Sequence, residues 1–206
     1  MILCCGEALI DMIPEWTAGG TEGFVPHPGG AVFNTAVALG RLGMRAGLLT
    51  GLSTDLFGQQ LDAALQASHV DTSHVIRSAR PSTLAFVQLS GGHATYNFFD
   101  EHSAGRMLQP GDMPTLAEEV TALFFGGISL VVEPCGATYE ALMARAVAAG
   151  RVTMIDPNIR PGFIKDQTQF RARLNRMISQ ADIVKVSDED LDWIIPGAES
   201  EAAKAS

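Results

Sequence analysis

Short, continuous apolar runs alternate with amphipathic stretches along most of this chain. Ile2-Leu3-Cys4-Cys5 predicts a strand buried on both faces. After a Pro- and Gly-rich stretch over 14–28, the spacing of Val32, Phe33, Ala36 and Leu39 predicts a helix over 32–42, closed by Gly43. The same reading gives a strand over 45–49, a helix over 57–68 and a strand over 123–125 that ends in Gly126-Gly127. It continues with a helix over 139–149 stopped by Gly150, a strand over 152–155, a helix over 169–180 and a strand over 183–186. The tail from Gly197 to Ser206, rich in Ala and Glu, reads as the beginning of a further helix. Strands and helices alternating in this way predict an α/β fold, a mostly parallel sheet with helices on both faces. Residues 24–27, and 84–89 with 94–99 across Gly91-Gly92, read instead as extended segments, the latter two as a hairpin, making a small sheet beside the main one.

Ligands of parallel sheets sit beyond the carboxyl ends of the strands. Asp11, the Gly51 turn, Gly127, Asp156 and Ser187 all fall just after predicted strands, which places the polar candidates on one rim. A chain of 206 residues, 47% hydrophobic, can bury roughly 70% of its unfolded surface as one domain. The formal charge of −9 comes without a basic cluster, so neither nucleic acid nor an anionic membrane is an expected partner; small molecules are. No apolar run approaches the roughly 20 residues of a membrane span, and Met1-Ile2-Leu3-Cys4 lacks a basic leader, so a cytoplasmic location is expected. Cys4 and Cys5 point to opposite faces of one strand and Cys135 stands alone, so all three read as small buried hydrophobes rather than a disulfide or thiolate site. The five histidines show no helical i, i+4 spacing, and no metal ligand is assigned.

Three segments carry chemistry. Gly29-Gly30 runs into the helix that bears Asn34 in its first turn: glycines admit a ligand close to the backbone, a helix N-terminus presents unpaired donors, and an amide both donates to and accepts from vicinal hydroxyls. Asp156-Pro157-Asn158-Ile159-Arg160 puts an acid, an amide and a guanidinium within one turn, a set suited to positioning hydroxyls and neutralising a phosphoryl group. The same residues also form turns readily, with Arg160 free to pair with a surface acid. Lys185-Val186-Ser187-Asp188-Glu189-Asp190 places an acid three residues after a serine, which is equally a near-miss capping box.

With the upstream run Gly6-Glu7-Ala8-Leu9-Ile10-Asp11, the diglycine helix resembles the sugar-binding end of ribokinase-like (PfkB) carbohydrate kinases of the fructokinase type, and Asp156-x-Asn158-x-Arg160 resembles their D-x-N-x-R segment. The resemblance covers nearly the whole chain. It implies a three-layer αβα sandwich over 1–206, with a small β-sheet lid drawn from about 12–28 and 82–104 that covers the sugar and mediates a homodimer. It further implies ATP-dependent phosphorylation of a sugar hydroxyl, fructose foremost, with Mg²⁺ and with any monovalent cation left open. In those roles Asp11 and Asn34 hold sugar hydroxyls, Gly29 and Gly30 bring backbone close, and Phe98 covers the ring from the lid. Asp156 and Asn158 help position the acceptor, and Arg160 meets the phosphoryl group. Lys185, Ser187 and Asp190 occupy the place of the family's N-x-x-E segment, which organises magnesium and phosphates through water; here the pattern is Ser187-x-x-Asp190.

One departure is larger. The family's G-A-G-D segment, whose aspartate is the base and whose helix start steadies the transferring phosphoryl group, does not follow Trp193, and no G-x-x-x-x-G-K-[ST] loop replaces it. The base and most of the nucleotide pocket are therefore expected beyond Ser206, and the C-terminal portion is read as missing, in a fragment of a longer kinase or in a truncated product unable to turn over. Two alternatives stay open. Another PfkB kinase, such as one acting on 2-keto-3-deoxygluconate, would need cationic or tyrosyl contacts to a carboxylate, which acidic and apolar Asn97-Phe98-Phe99-Asp100-Glu101 disfavours unless Arg106 folds back. A non-catalytic sugar-binding or dimerisation module is the reading from another class. A nicotinamide-binding domain is weaker still, because the G-x-G-x-x-G spacing is absent after the first strand.

Overall fold

The computed structural model describes residues 1–90 and 93–197. In chain order its elements are β1 (Ile2–Cys5), β2 (Leu9–Trp16), β3 (Glu22–Gly29), α1 (Ala31–Arg41), β4 (Ala46–Leu49), β5 (Gly51–Ser53), α2 (Leu56–Ala67), β6 (Ile76–Ser78), β7 (Thr83–Ser90) and β8 (His93–Phe99). They continue with β9 (Ala122–Gly126), α3 (Cys135–Ala148), β10 (Val152–Asp156), α4 (Gln167–Ile178), β11 (Ile183–Val184) and α5 (Asp188–Ile194). The main sheet runs β11-β10-β9-β1-β4, parallel throughout.

Side chains alternate across a strand, and here both faces are covered. Leu3, Cys5, Leu49, Leu123, Phe125 and Ile155 enter the core shared with Tyr139, Leu142, Phe170 and Leu174 of α3 and α4. Their neighbours Cys4, Leu48 and Phe124 enter the opposite core with Val32, Phe33, Leu61 and Leu65 of α1 and α2. This two-sided burial is why the strands read as unbroken apolar runs. The Tyr139 hydroxyl, fully buried, donates to the carbonyls of Gly6 (3.2 Å) and Leu49 (3.3 Å), which ties α3 to the rim beyond β1 and β4. All three cysteines are free and buried, and burial pushes the Cys4 and Cys135 thiols up to about 12. None of the described helices is long and apolar enough to cross a membrane.

A second sheet, β3-β2-β7-β8, stands beside the first; β2 pairs antiparallel with β3 and parallel with β7, and β7 pairs antiparallel with β8. The segment expected over 24–27 is β3, Glu22–Gly29; the structure adds β2, Leu9–Trp16, a strand the sequence reading did not expect. Pro14 is tolerated because β7 pairs with β2 only from Leu9 to Met12, and Pro26 and Pro28 lie on the edge strand β3. Helix α3 begins already at Cys135, its first turn receiving an acceptor from Glu133, whose Oε2 binds the Ala137 N–H at 3.1 Å. The expected strand over 183–186 shortens to Ile183–Val184. The Gly91-Gly92 turn expected between β7 and β8 lies outside the described residues, as does the helix expected to run from Gly197 to Ser206, past its first residue.

Asp55 joins the second sheet to the first domain layer. As N-cap of α2 it accepts from Gly58 N–H at 2.8 Å, and its two oxygens also take the Ser82 hydroxyl (2.7 Å) and Ser82 N–H (2.9 Å), at the root of β7. Burial raises its pKa, but these donors together with Ser53 outweigh that and hold the carboxyl below the ordinary value of 3.8. Asp55→Ala should lower stability by about 1–3 kcal/mol in urea melts at neutral pH, the size of a lost cap plus a stranded buried donor. Because the folded pKa is depressed, this contribution is present above the ordinary aspartate range and fades as pH falls through the lowered value. Equal stability of wild type and variant at neutral pH would refute the assignment.

Candidate active site at the junction of the two sheets

Where β1 passes into β2 and β3 passes into α1, the two sheets enclose a pocket of about 260 Å³. Asp11 reaches it from β2, Gly30 and Asn34 from the start of α1, and Asn158 and Arg160 from the loop after β10; Tyr96 and Phe98 of β8 close one side. Six residues singled out from the sequence thus converge: Asp11, Gly30, Asn34, Phe98, Asn158 and Arg160. Gly29 stands behind them, and a Cβ there would overlap Asp11 Oδ2, so only glycine leaves the carboxylate its place. Gly30 sits at φ 104, a conformation glycine adopts without strain, and its carbonyl accepts the Asn34 N–H at 2.9 Å, which sets the amide on the first turn.

Asp11 is half-buried. Burial raises its pKa, while His27, opposite it on β3, and Arg160, across the pocket, pull it back. Asn158 holds φ 44, a left-handed position that asparagine tolerates better than most residues. Its neighbour is pinned: Ile159 N–H donates to Asp190 Oδ1 at 2.8 Å, from a carboxylate that is only 4% exposed. Arg160 donates to the Ile159 carbonyl at 3.0 Å, and its guanidinium lies 5.6 Å from the Tyr96 ring centroid. Tyr96 stacks on Phe98 at 5.9 Å, and Phe98 meets Phe163 at 4.8 Å, so an aromatic row connects β8 to the Arg160 loop.

Asp156, Lys185, Ser187 and Asp190 gather outside the pocket lining. Lys185 Nζ binds Asp156 Oδ2 at 2.8 Å, and Asp156 Oδ1 is buried without a hydrogen-bond partner. Ser187 Oγ accepts the Asp190 N–H at 3.1 Å, the forward half of a capping box. The Asp190 carboxylate turns instead to Ile159, linking this cluster to the pocket. Ser206, beyond which the base is expected, lies outside the described residues.

Sequence reasoning assigned no site role to Glu7, Leu9, Tyr96 or Ile128, all of which line the pocket. For Glu7 a signal existed: it is the one acid in the run from Leu3 to Ile10, and it is 6% exposed.

The model of the pfkB family carbohydrate kinases matches residues 1–206. A fructokinase of Rhizobium leguminosarum bv. trifolii is 57% identical over 193 residues, which cover 94% of this chain and 59% of that protein. Fructokinase from Xylella fastidiosa, solved with bound ATP, superposes with a TM-score of 0.85 at 30% identity over 94% of this chain and 59% of its own. A fructokinase double mutant from Vibrio cholerae O395, solved in a fructose, ADP and potassium ion bound form, superposes with a TM-score of 0.84 at 26% identity over 98% and 64%. The chain thus spans less than two thirds of the length of each. With the α/β architecture and the matching family model together, the chain belongs to the pfkB family of carbohydrate kinases.

Proposed function

We propose that the protein to which this chain belongs phosphorylates a hydroxyl of fructose with ATP. The observation that carries this reading is the convergence of Asp11, Asn34 and Arg160 on one pocket of sugar size. A carboxylate and an amide fix vicinal hydroxyls, and a guanidinium facing them can neutralise charge on an incoming phosphoryl group. Phosphoryl transfer asks the protein mainly for positioning and charge neutralisation, and these residues supply both. The base would come from a G-A-G-D segment beyond Ser206, which these 206 residues do not contain. Support for ATP and for fructose comes from the relatives solved with those ligands. Arg106 is bound to Asp100 at 3.1 Å and to the Glu133 carbonyl at 3.1 Å and does not line the pocket, so it is not placed to meet a sugar acid; Tyr96 and Arg160 do line it, and the comparison of substrates below decides between a neutral sugar and an acid.

In this reading Lys185 faces the nucleotide side, while Ser187 and Asp190 act through the backbone they hold. Among the described residues no three His, Cys, Asp or Glu side chains form a metal cage, so Mg²⁺ would be held by phosphate oxygens and water. Asp156 Oδ1, buried and unpartnered, fits an outer contact to such a hydrated ion. The ion supplies charge neutralisation on the phosphates. The second sheet serves as the lid, and its face opposite Phe98 carries Phe24, Phe86 and Phe99 in edge contact at 4.9 and 5.4 Å, with Phe99 61% exposed. A second copy covering this face is part of the proposal, as is a cytoplasmic location.

Release of ADP by the complete enzyme, with fructose, ribose and 2-keto-3-deoxygluconate compared, tests the function. The highest kcat/KM is expected for fructose, and none for the 206 residues alone. Preference for the sugar acid would refute the substrate, and sugar-dependent turnover by the 206 residues would place the base within them.

A further inference from the structure

The diglycine helix start has no cap of its own, because its N-cap is Gly30 and no side chain there accepts from the first turn. The cap arrives from elsewhere in the chain. Glu7 Oε1 accepts the Val32 N–H at 3.3 Å, and the Glu7 carbonyl accepts the Phe33 N–H at 3.2 Å. The other carboxylate oxygen, Oε2, accepts the Ser129 N–H at 3.5 Å, on the turn that follows β9. One carboxylate therefore bridges two elements on opposite sides of the pocket floor.

Two glycines are shaped around it. A Cβ on Gly127, which holds φ 71, would overlap both carboxylate oxygens, and a Cβ on Gly30 would press within 3.1 Å of Glu7 Cγ. The positions that the sequence marks as places for a ligand's close approach are thus also the space that Glu7 occupies. Burial raises the Glu7 pKa, and backbone N–H groups of Glu7, Val32, Ser129 and Ala31 oppose that by favouring the ionised form. Like Asn34 and Ile128, Glu7 also faces the pocket.

We propose that Glu7 is the positioning residue of the sugar site: its carboxylate fastens the start of α1, which carries Gly30 and Asn34, to the Gly127–Ser129 turn and so fixes the spacing across the pocket floor. This rests on the sugar-kinase reading. A glutamine in its place keeps one acceptor and turns an N–H donor toward Val32 or Ser129, so one of the two fastenings is lost. Alanine loses both. Lys185 and the Ser187 helix start do not touch Glu7, so the nucleotide side should not register the change.

The test uses Glu7→Gln and Glu7→Ala in the complete enzyme, with calorimetric titration of fructose, separate titration of ATP, thermal melting and steady-state kinetics. For Glu7→Gln we expect fructose affinity to fall about tenfold, the counterpart of one stranded buried donor. Glu7→Ala should fall further. The loss in kcat/KM should come through KM for the sugar, with ATP affinity unchanged. A folded Glu7→Gln enzyme with wild-type fructose affinity overturns the inference, as does a fall in fructose and ATP affinity together in step with the melting temperature, which would mark a general folding role. Should Glu7→Ala not fold, Glu7→Gln alone decides. Wild-type enzyme that binds a different sugar refutes the fructose reading only, and the Glu7 comparison then runs on that sugar; binding of no sugar refutes both.

Discussion

Asp11→Asn in the complete enzyme is expected to raise the dissociation constant for fructose by about 10- to 100-fold, the loss of a charge-assisted hydrogen bond of about 1.5–3 kcal/mol. The carboxylate offers acceptors to two hydroxyls, whereas the amide offers one acceptor and turns a donor toward a group that must also donate. Volume barely changes, and Gly29 still leaves room for the side chain. The substitution therefore isolates charge and acceptor number from packing. A pH dependence accompanies it. Burial holds the Asp11 pKa above the ordinary value of 3.8 despite His27 and Arg160, so the ionised form that binds the sugar is lost on acidification earlier than for a surface aspartate. Wild-type affinity should weaken as pH falls through that raised value, and the Asn variant should be flat there. Calorimetric titration across acid pH measures both, and unchanged affinity at neutral pH removes Asp11 from the site.

Arg160→Ala should lower kcat by about 10²–10³, the usual effect of deleting one group that meets charge developing in the transition state. Arg160→Lys keeps the charge but loses the planar fork and the stack against Tyr96, and should recover only part of the rate. In both, kcat should fall more than KM for fructose rises, because the guanidinium is assigned to the phosphoryl group rather than to the acceptor. The loop should stay in place, since its anchor is Asp190 on Ile159 rather than Arg160 itself. Steady-state kinetics decide: a raised KM at constant kcat would move Arg160 to the sugar.

The main sheet was legible because its inner strands are buried on both faces, so Leu3-Cys4-Cys5 and Leu123-Phe124-Phe125 show as unbroken apolar runs. The second sheet was only half legible. Its outer strand β3 shows over 24–27, but β2 does not, because Asp11 and Pro14 interrupt its apolar residues and Pro14 looks like a loop residue unless its place beyond the β7 pairing is known. The three-residue strands β5 and β6 are too short for any periodicity to show. In the site, Asn34 and Arg160 could be read from their type and their place at a helix start or after a strand, whereas Asp11, expected just after a strand, lies within β2 and still lines the pocket. The role of Glu7 could not, because its partners Val32 and Ser129 lie 25 and 122 residues away, and no local spacing encodes them. The Ser187 segment shows the converse: its serine follows the local capping rule, and its acid leaves that rule to serve Ile159.

Both connections between the two sheets at the pocket, from β1 into β2 and from β3 into α1, run through residues of the site itself. Asp11 rides on the small sheet, whereas Asn34 and Arg160 ride on the large one. In the proposed reading, a sugar held by all three would span the joint between the small sheet and the large one. Hydroxyl spacing would then add to hydroxyl chemistry as a basis of selectivity, because a molecule with the right groups at the wrong span would satisfy one sheet's residues and leave the other's unpaired.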